Sequence, residues 1–163
     1  MRRWQRWGLE LIVVIALFIA IDQWRSRDLL ESGDRVGPER LVTLDQQVAE
    51  LVPPGQPVLV YFFAPWCSVC KLSIGNLQSL QKDNPELEIR LVALDYSSRA
   101  EVLAFIDGQK LSFPVLMGDA GLAKRWHIKA YPTYYLIGDD SRIVSRNMGY
   151  SSELGLRARL EML

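Results

Sequence analysis

Hydrophobic positions divide the chain into one long apolar run near the amino terminus and a series of shorter runs behind it. Residues 9–21 are apolar apart from Glu10, and a group of arginines precedes them: Arg2, Arg3 and Arg6. No small residues in an A-x-A-like pattern, which would mark cleavage of a signal peptide, follow the run. Tryptophans flank it as interfacial aromatics do in a bilayer, at Trp4, Trp7 and Trp24. The pattern predicts an uncleaved segment that enters a membrane.

The length of this segment favours a single transmembrane helix over residues 7–24, because a spanning helix needs about 20 residues. Positive charge is denser before the helix than after it, which predicts that residues 1–6 stay in the cytoplasm. A buried or surface-lying amphipathic helix is the alternative, since the strictly apolar stretch is short and Glu10 lies near its start. Residues 25–40 are polar, mixed in charge and punctuated by Gly and Pro, which predicts a solvated linker. The folded domain is predicted over residues 41–163.

Behind this linker, strand-like runs alternate with runs of helical periodicity. Residues 58–63 are β-branched and aromatic without alternation, as expected of a strand covered on both faces. In chain order we predict that strand, a helix from the cysteines to before Asn84, a strand over 88–95, helices over 99–109 and 120–126, a hairpin of 134–137 and 143–148, and a helix over 152–162. Because the first two strands need a crossover and the last two can pair antiparallel, this order predicts an α/β fold with a mixed sheet.

Charge and cysteine content narrow the classes of function. Lys and Arg number 19 and Asp and Glu also number 19, so no net field favours a nucleic-acid partner or an acidic substrate. The chain has 2 cysteines, Cys67 and Cys70, which excludes a framework of several disulfides. A tetrahedral zinc site would need carboxylates as well, because His127 is the only histidine. The cysteine pair must therefore act alone or with a partner.

Both cysteines lie where the predicted buried strand passes into a helix. Unpaired N–H groups and the helix dipole stabilise a thiolate there, so Cys67 is predicted to be the nucleophile of thiol–disulfide exchange. Cys70 lies one helical turn further on and is predicted to be the resolving thiol that expels the substrate. The Cys67–Cys70 disulfide is the redox-active group, and no further cofactor is predicted. Since monovalent copper can bind two thiolates alone, copper capture stays open beside exchange.

Two motifs carry a resemblance to a known family. The run Phe62-Phe63-Ala64-Pro65-Trp66-Cys67-Ser68-Val69-Cys70, with the later Tyr131-Pro132-Thr133, resembles the thioredoxin superfamily from about residue 41 to the carboxyl terminus. The resemblance implies a thioredoxin-like three-layer fold and a cis peptide before Pro132, which would lie against the cysteine pair. It also implies that the backbone of Tyr131 pairs with an extended segment of a protein disulfide substrate. Trp66, Tyr131, Pro132 and Thr133 are accordingly predicted to bind substrate.

Further features are similar to one branch of that superfamily. The predicted helix 99–109, Phe113-Pro114-Val115 and the amino-terminal anchor look like the TlpA/ResA/DsbE branch. The arginine-rich start, the Cys-x-Val-Cys centre and the stretch 149–152 resemble the thioredoxin-like membrane protein of bacterial suppressor-for-copper-sensitivity operons. This resemblance implies a single-pass protein of the bacterial inner membrane with a periplasmic catalytic domain. It further implies a membrane electron donor of the thiol-relay type and a link to copper tolerance.

The sequence also departs from the family at two positions. Tyr61 stands where thioredoxins carry a buried aspartate, and Ser73 stands where ResA-like proteins carry a glutamate. Because no nearby carboxylate is left to accept the Cys70 proton, we expect slow reduction of random disulfides and a dedicated partner. The dipeptide 68–69 has no ionisable group that would stabilise the thiolate strongly, which favours net reduction over oxidation. The alternative is a non-catalytic copper-binding or chaperone module. Asp95, at the end of the second strand, is expected to begin a turn.

Overall fold

The computed structural model describes residues 3–163, without the side chains of 3–6, 18, 19 and 22–26. The prediction of a cytoplasmic terminus over residues 1–6 lies outside the described side chains. The first element is α1 (Arg3–Ser26), which contains the whole of the predicted anchor. Its described side chains, at 7–17, 20 and 21, are all exposed. Among the described residues, no helix combines the length and the apolar character needed to cross a membrane.

The elements that follow α1 form an α/β domain with a mixed sheet, as predicted. Their bounds are β1 (Arg40–Val42), β2 (Val48–Glu50), β3 (Val58–Phe63), α2 (Ser68–Ser73), α3 (Gly75–Asp83), β4 (Glu88–Ala93), α4 (Arg99–Gln109), β5 (Val115–Met117), α5 (Ala120–Arg125), β6 (Thr133–Ile137), β7 (Ile143–Met148) and α6 (Glu153–Leu160). The main sheet has five strands in the order β5-β4-β3-β6-β7, with β3, β4 and β5 parallel and β6 and β7 antiparallel to their neighbours. β1 and β2 pair as a separate hairpin.

β3 is the centre of this sheet, and all of its residues are buried. Since side chains alternate along a strand, Leu59, Tyr61 and Phe63 face one layer, which contains α2, α3, α4 and α6. The remaining residues of β3 face the other layer, which contains α5 and residues close behind α1. The unalternating sequence of β3 therefore reflects burial on both faces, as predicted.

Residues 28–36, which we call the strap, do not form the solvated linker predicted over 25–40. Leu29 is only 2% exposed and packs in the core with α5. The Arg146 guanidinium donates to the carbonyls of Leu29 and Leu30, at 3.0 and 2.6 Å. The packed domain thus begins ahead of residue 41, because Leu29 adds apolar surface to the core and β7 provides partners for the strap backbone.

Further contacts fix the start and the middle of the strap. At its start, the Lys129 ammonium donates to the Asp28 carboxylate at 2.9 Å, and the His127 ring lies 3.1 Å from the Asp28 carbonyl. Near its middle, the Gly33 backbone N–H donates to the Ile143 carbonyl at 2.8 Å. The strap therefore runs from the loop behind α5 to the start of β7.

Two other features of the fold differ from prediction. The predicted helix behind the cysteines is two helices, since α2 ends at Ser73 and α3 begins at Gly75. β1, β2 and β5 have three residues each, which is too short to leave a period in the sequence. β5 nevertheless completes one edge of the sheet beside β4.

Tyr135 offers a test of how firmly the strap is attached. Its phenol accepts from the Leu30 N–H at 3.2 Å and donates to the Trp126 carbonyl at 2.8 Å. Burial raises the pKa of Tyr135 from 10.0 to about 12. Because the folded pKa exceeds the unfolded one, the stability that Tyr135 contributes is present below pH 10 and is lost as the pH rises towards 12.

We expect Tyr135→Phe to lower the free energy of unfolding at neutral pH by about 1–2 kcal/mol, because a buried carbonyl and a partly buried N–H lose their partner. The variant should also lose less stability than the wild type between pH 10 and about 12. Urea unfolding across this pH range measures both effects. An alkaline slope identical to that of the wild type would contradict the assignment.

Candidate active site

The cysteine pair lies in the turn between β3 and α2. Cys67 is the N-cap residue of α2, with extended backbone angles, and its Sγ accepts a hydrogen bond from the Cys70 N–H at 3.1 Å. The two residues are joined in a disulfide, with their Cα atoms 5.2 Å apart. Cys67 is 6% exposed, whereas Cys70 is fully buried. The structure therefore places Cys67 at the helix amino terminus, as the sequence predicts.

This geometry has a chemical consequence for the reduced state. A sulfur that accepts an N–H bond at a helix amino terminus is stabilised as a thiolate, which lowers its pKa and makes it nucleophilic. The buried position of Cys70 keeps its sulfur away from bulk solvent and next to Cys67. The assignment of Cys67 as nucleophile and Cys70 as resolving thiol stays a prediction, and the arrangement suits both roles.

An aromatic rim, made of Trp66 and Tyr131, stands beside the pair. Trp66 directly precedes Cys67 and is 61% exposed. The two rings meet edge to face, with their centroids 5.8 Å apart and an interplanar angle of 83°. The Trp66 indole N–H donates to the Asp95 carbonyl at 2.9 Å, and the Tyr131 hydroxyl donates to the Asp95 carboxylate at 2.9 Å. The structure thus brings together two predicted site residues and one residue that was not predicted.

Asp95 is expected from its position to begin a turn, and its φ of 47° is in agreement with a turn. The predicted order of the strands could have indicated that Asp95 lies beside the cysteine turn. β3 and β4 are parallel, so the residues that follow them lie at the same edge of the sheet. Burial, and after it the hydrogen bond to Asp95, raises the pKa of the Tyr131 phenol. The hydroxyl therefore remains a hydrogen-bond donor at neutral pH.

The other two predicted substrate-binding residues support the loop that precedes β6. The peptide between Tyr131 and Pro132 is cis, as the resemblance implies. Pro132 is buried, and its carbonyl accepts from the Gly149 N–H at 2.7 Å. Thr133 is also fully buried, and its hydroxyl donates to the Ala130 carbonyl at 2.8 Å. The Thr133 side chain thus bonds within its own loop, and the assignment of Pro132 and Thr133 as substrate-binding residues stays a prediction.

A group of buried hydroxyls, which we call the hydroxyl floor, lies beneath Cys70: Tyr61, Ser73 and Tyr134. The Tyr61 and Ser73 oxygens are 3.0 Å apart, and the Tyr61 hydroxyl also donates to the Cys70 carbonyl at 3.3 Å. Tyr134 packs edge-on against Tyr61, with ring centroids 4.9 Å apart. The two positions that depart from the family are thus hydrogen-bonded to each other, directly under Cys70.

The hydroxyl floor carries no charge at neutral pH. Burial raises the pKa of Tyr61 and also that of Tyr134. A phenol with a raised pKa is a very weak acid and is fully protonated near neutrality, so it does not take a proton from a thiol as a carboxylate can. The floor therefore supports Cys70 through hydrogen bonds to its carbonyl.

Within the part of the chain that the structure describes, no group of three or more His, Cys, Asp or Glu residues is arranged to hold a metal ion. The histidine, His127, contacts the strap through its ring nitrogen.

Comparison with known proteins adds a family and a fold. Residues 41–146 match the model of the AhpC/TSA family. The thioredoxin-like protein YneN of Bacillus subtilis is 25% identical over 138 residues, which cover 82% of this chain and 81% of that protein. The thiol-disulfide oxidoreductase ResA of Oceanobacillus iheyensis is 28% identical over 147 residues, which cover 85% of this chain and 77% of that protein.

A solved structure shares the same architecture. The thioredoxin domain of the thiol-disulfide oxidoreductase BVU-2223 of Bacteroides vulgatus superposes with a TM-score of 0.72 at 17% identity, covering 82% of this chain and 99% of that one. At this identity the likeness concerns the fold alone. It confirms the thioredoxin-like fold that the two sequence motifs imply.

The neutrality of the hydroxyl floor leads to a prediction for Tyr61→Phe. Loss of a general base would slow proton transfer about a hundredfold or more. Because Tyr61 is protonated at neutral pH, we expect the variant to slow Cys70-dependent release of a mixed disulfide by less than about threefold. Loss of its hydrogen bonds should lower the free energy of unfolding by about 1 kcal/mol.

Stopped-flow release of a thiol from the mixed disulfide, with urea unfolding alongside, measures both quantities. Ser73→Ala is the matched control, because it removes the other hydroxyl of the same hydrogen bond. A loss near a hundredfold in the Tyr61→Phe variant would show that the phenol takes part in proton transfer.

Proposed function

Since the chain belongs to the AhpC/TSA family, we propose that it is a thiol–disulfide oxidoreductase that reduces the disulfide of a dedicated protein partner through Cys67 and Cys70. The observation that carries this proposal is the placement of the cysteine pair. Cys67 caps α2 with its sulfur on the Cys70 N–H, while Cys70 is fully buried behind it. That arrangement suits one attacking and one resolving sulfur.

The proposed reaction has two exchange steps. The Cys67 thiolate attacks one sulfur of the partner disulfide, forms a mixed disulfide and releases the first partner thiolate. The Cys70 thiol then loses its proton and attacks the Cys67 sulfur, which breaks the mixed disulfide and releases the second partner thiolate. Two electrons pass to the partner, which gains a dithiol, and the protein is left with the Cys67–Cys70 disulfide seen in the structure.

The proton of Cys70 needs an acceptor in the second step. The hydroxyl floor beneath Cys70 holds no carboxylate, and its phenols are protonated at neutral pH. The partner thiolate released in the first step is a base of suitable strength that is already next to the site. A partner that stays bound through both steps would supply this base, which supports a dedicated partner over random disulfides.

We also propose that α1 anchors the domain in a bacterial inner membrane, with the cysteine pair on the periplasmic side. Support comes from the sequence, which has an arginine-rich start and an apolar run at 9–21 without a cleavage site. The described side chains from Trp7 to Leu17 are exposed, so the domain does not use them as core. In this setting a membrane electron donor of the thiol-relay type returns Cys67 and Cys70 to the dithiol.

Trapping tests the exchange mechanism. A Cys70→Ala variant keeps the attacking sulfur and loses the resolving one, so mixed disulfides should accumulate. We expect adducts of higher mass in the membrane fraction that disappear on reduction, and mass spectrometry would identify the partner. Cys67→Ala is the matched control. It lacks the attacking sulfur, so these adducts should not accumulate. Absence of any reducible adduct in the Cys70→Ala variant would overturn the exchange mechanism.

The alternative function is copper binding by the two thiolates, and the sequence resemblance to copper-sensitivity operons is what favours it. Titration of the reduced protein with Cu(I) distinguishes the two. Tight binding of one ion per dithiol, without reduction of any partner disulfide, would replace the exchange proposal with a copper-binding module. If the protein performs thiol–disulfide exchange and retains no copper, any role in copper tolerance would act through the redox state of its partner.

The direction of exchange is tested by the reduction potential of the cysteine pair. Residues 68–69 place no cationic group between the cysteines. We therefore expect a potential closer to that of thioredoxin, about −270 mV, than to the strongly oxidising value of about −120 mV. Equilibration with glutathione or dithiothreitol buffers measures it. A value near the oxidising limit would show that the protein forms disulfides in its partner.

A further inference from the structure

We propose that Asp95 and Tyr131 are positioning residues that hold Trp66 and make the site selective for protein disulfides with an apolar side chain next to the reacting cysteine. The inference rests on the proposed exchange function and adds the substrate class. It concerns the aromatic rim of Trp66 and Tyr131 and the residue that links them.

Asp95 bonds both members of the rim through different atoms. Its backbone carbonyl accepts from the Trp66 indole, and its carboxylate accepts from the Tyr131 hydroxyl, each at 2.9 Å. Trp66 belongs to the turn before α2, and Tyr131 belongs to the loop before β6. Asp95, which follows β4, therefore joins the turn after β3 to the loop before β6.

The backbone of Asp95 allows this double use. Its φ of 47° lies in the left-handed region, which aspartate and asparagine enter more readily than most residues other than glycine. The preceding residue, Leu94, donates its N–H to the Phe63 carbonyl at 2.9 Å, which fixes the turn against the end of β3. Asp95 thus presents its carbonyl and its carboxylate to two partners from one anchored turn.

These bonds determine what a partner meets at the rim. The polar atoms of the Trp66 and Tyr131 side chains are already engaged by Asp95, so the surface that the two rings leave to a partner is largely carbon. Two apolar residues of α2, the helix that Cys67 caps, are exposed as well: Val69 at 40% and Leu72 at 74%. Cys67 itself is 6% exposed, so a partner that reaches its sulfur must lie against this surface. An apolar side chain beside the partner cysteine would bury the most apolar area there.

Three variants test the link between Asp95 and the rim. Tyr131→Phe removes the donor, and Asp95→Gly removes the acceptor while glycine accepts the left-handed backbone without strain. Asp95→Asn keeps a side-chain oxygen that can accept from the Tyr131 hydroxyl, so this variant should retain part of the wild-type preference for an apolar neighbour. The probes are two synthetic peptide disulfides that differ only in a Leu or a Ser beside the reacting cysteine, and the small disulfide 5,5′-dithiobis(2-nitrobenzoate).

The wild type should reduce the Leu peptide with a lower KM than the Ser peptide. We expect Tyr131→Phe and Asp95→Gly each to raise the KM for the Leu peptide about fivefold, and the Tyr131→Phe/Asp95→Gly double variant to lose no more than either single one. The loss of kcat/KM for the small disulfide should be several times smaller, because it does not reach the whole rim. Tyr135→Phe, which removes a phenol bonded to the strap, should keep the peptide preference.

Each failure has a separate meaning. Equal KM values for the two peptides in the wild type, or a preference unchanged in both single variants, would overturn the selective rim while leaving exchange intact. Additive losses in the double variant would show that Asp95 and Tyr131 act independently. A wild type that reduces neither peptide nor the small disulfide would overturn the exchange function itself.

Discussion

Strand β3 is buried on both faces and hydrogen-bonded along both edges, and each part of the site takes its position from it. Its carboxyl end delivers the turn with the cysteines. Its parallel neighbour β4 brings Asp95 to the same edge, and its antiparallel neighbour β6 begins just after the cis peptide before Pro132. Tyr61 lies within the strand and reaches the Cys70 carbonyl from below. Because every element beside β3 is tied to its register, a shift of this strand would displace the whole site.

The site separates two kinds of polar group. The hydroxyls of Tyr61 and Ser73 are buried beneath Cys70 and stay neutral, because charge would be costly without water around it. The carboxylate of Asp95 lies at the exposed edge, where solvent lowers the cost of its charge. The interior of the site thus contributes shape and hydrogen bonds, and the ionic group acts only at the rim. Support of the Cys70 backbone and contact with a partner are therefore assigned to different places.

Sequence patterns predicted the parts of the fold that rest on local signals. The bounds of α4 agree with the prediction because Ser98 caps its first turn, and β3 was visible as an unbroken apolar run. The cysteine pair and Pro132 were found because their motifs are short and distinctive. The strap and the bonds of Asp95 were not found, because they depend on partners 29 to 117 residues away. Spacing along the chain carries no information about such contacts.

The strap also limits how far the cysteine pair can travel. A free chain over residues 25–40 would let the domain range over about 50 Å from the end of α1. With Asp28 already bonded to Lys129, Arg27 is the single residue between α1 and the strap. If α1 is held in place, the cysteine pair therefore stays at a nearly fixed distance from the end of α1. A partner must then present its disulfide at that distance. The fold itself therefore limits the distance between α1 and the cysteine pair, because one residue connects α1 to the strap.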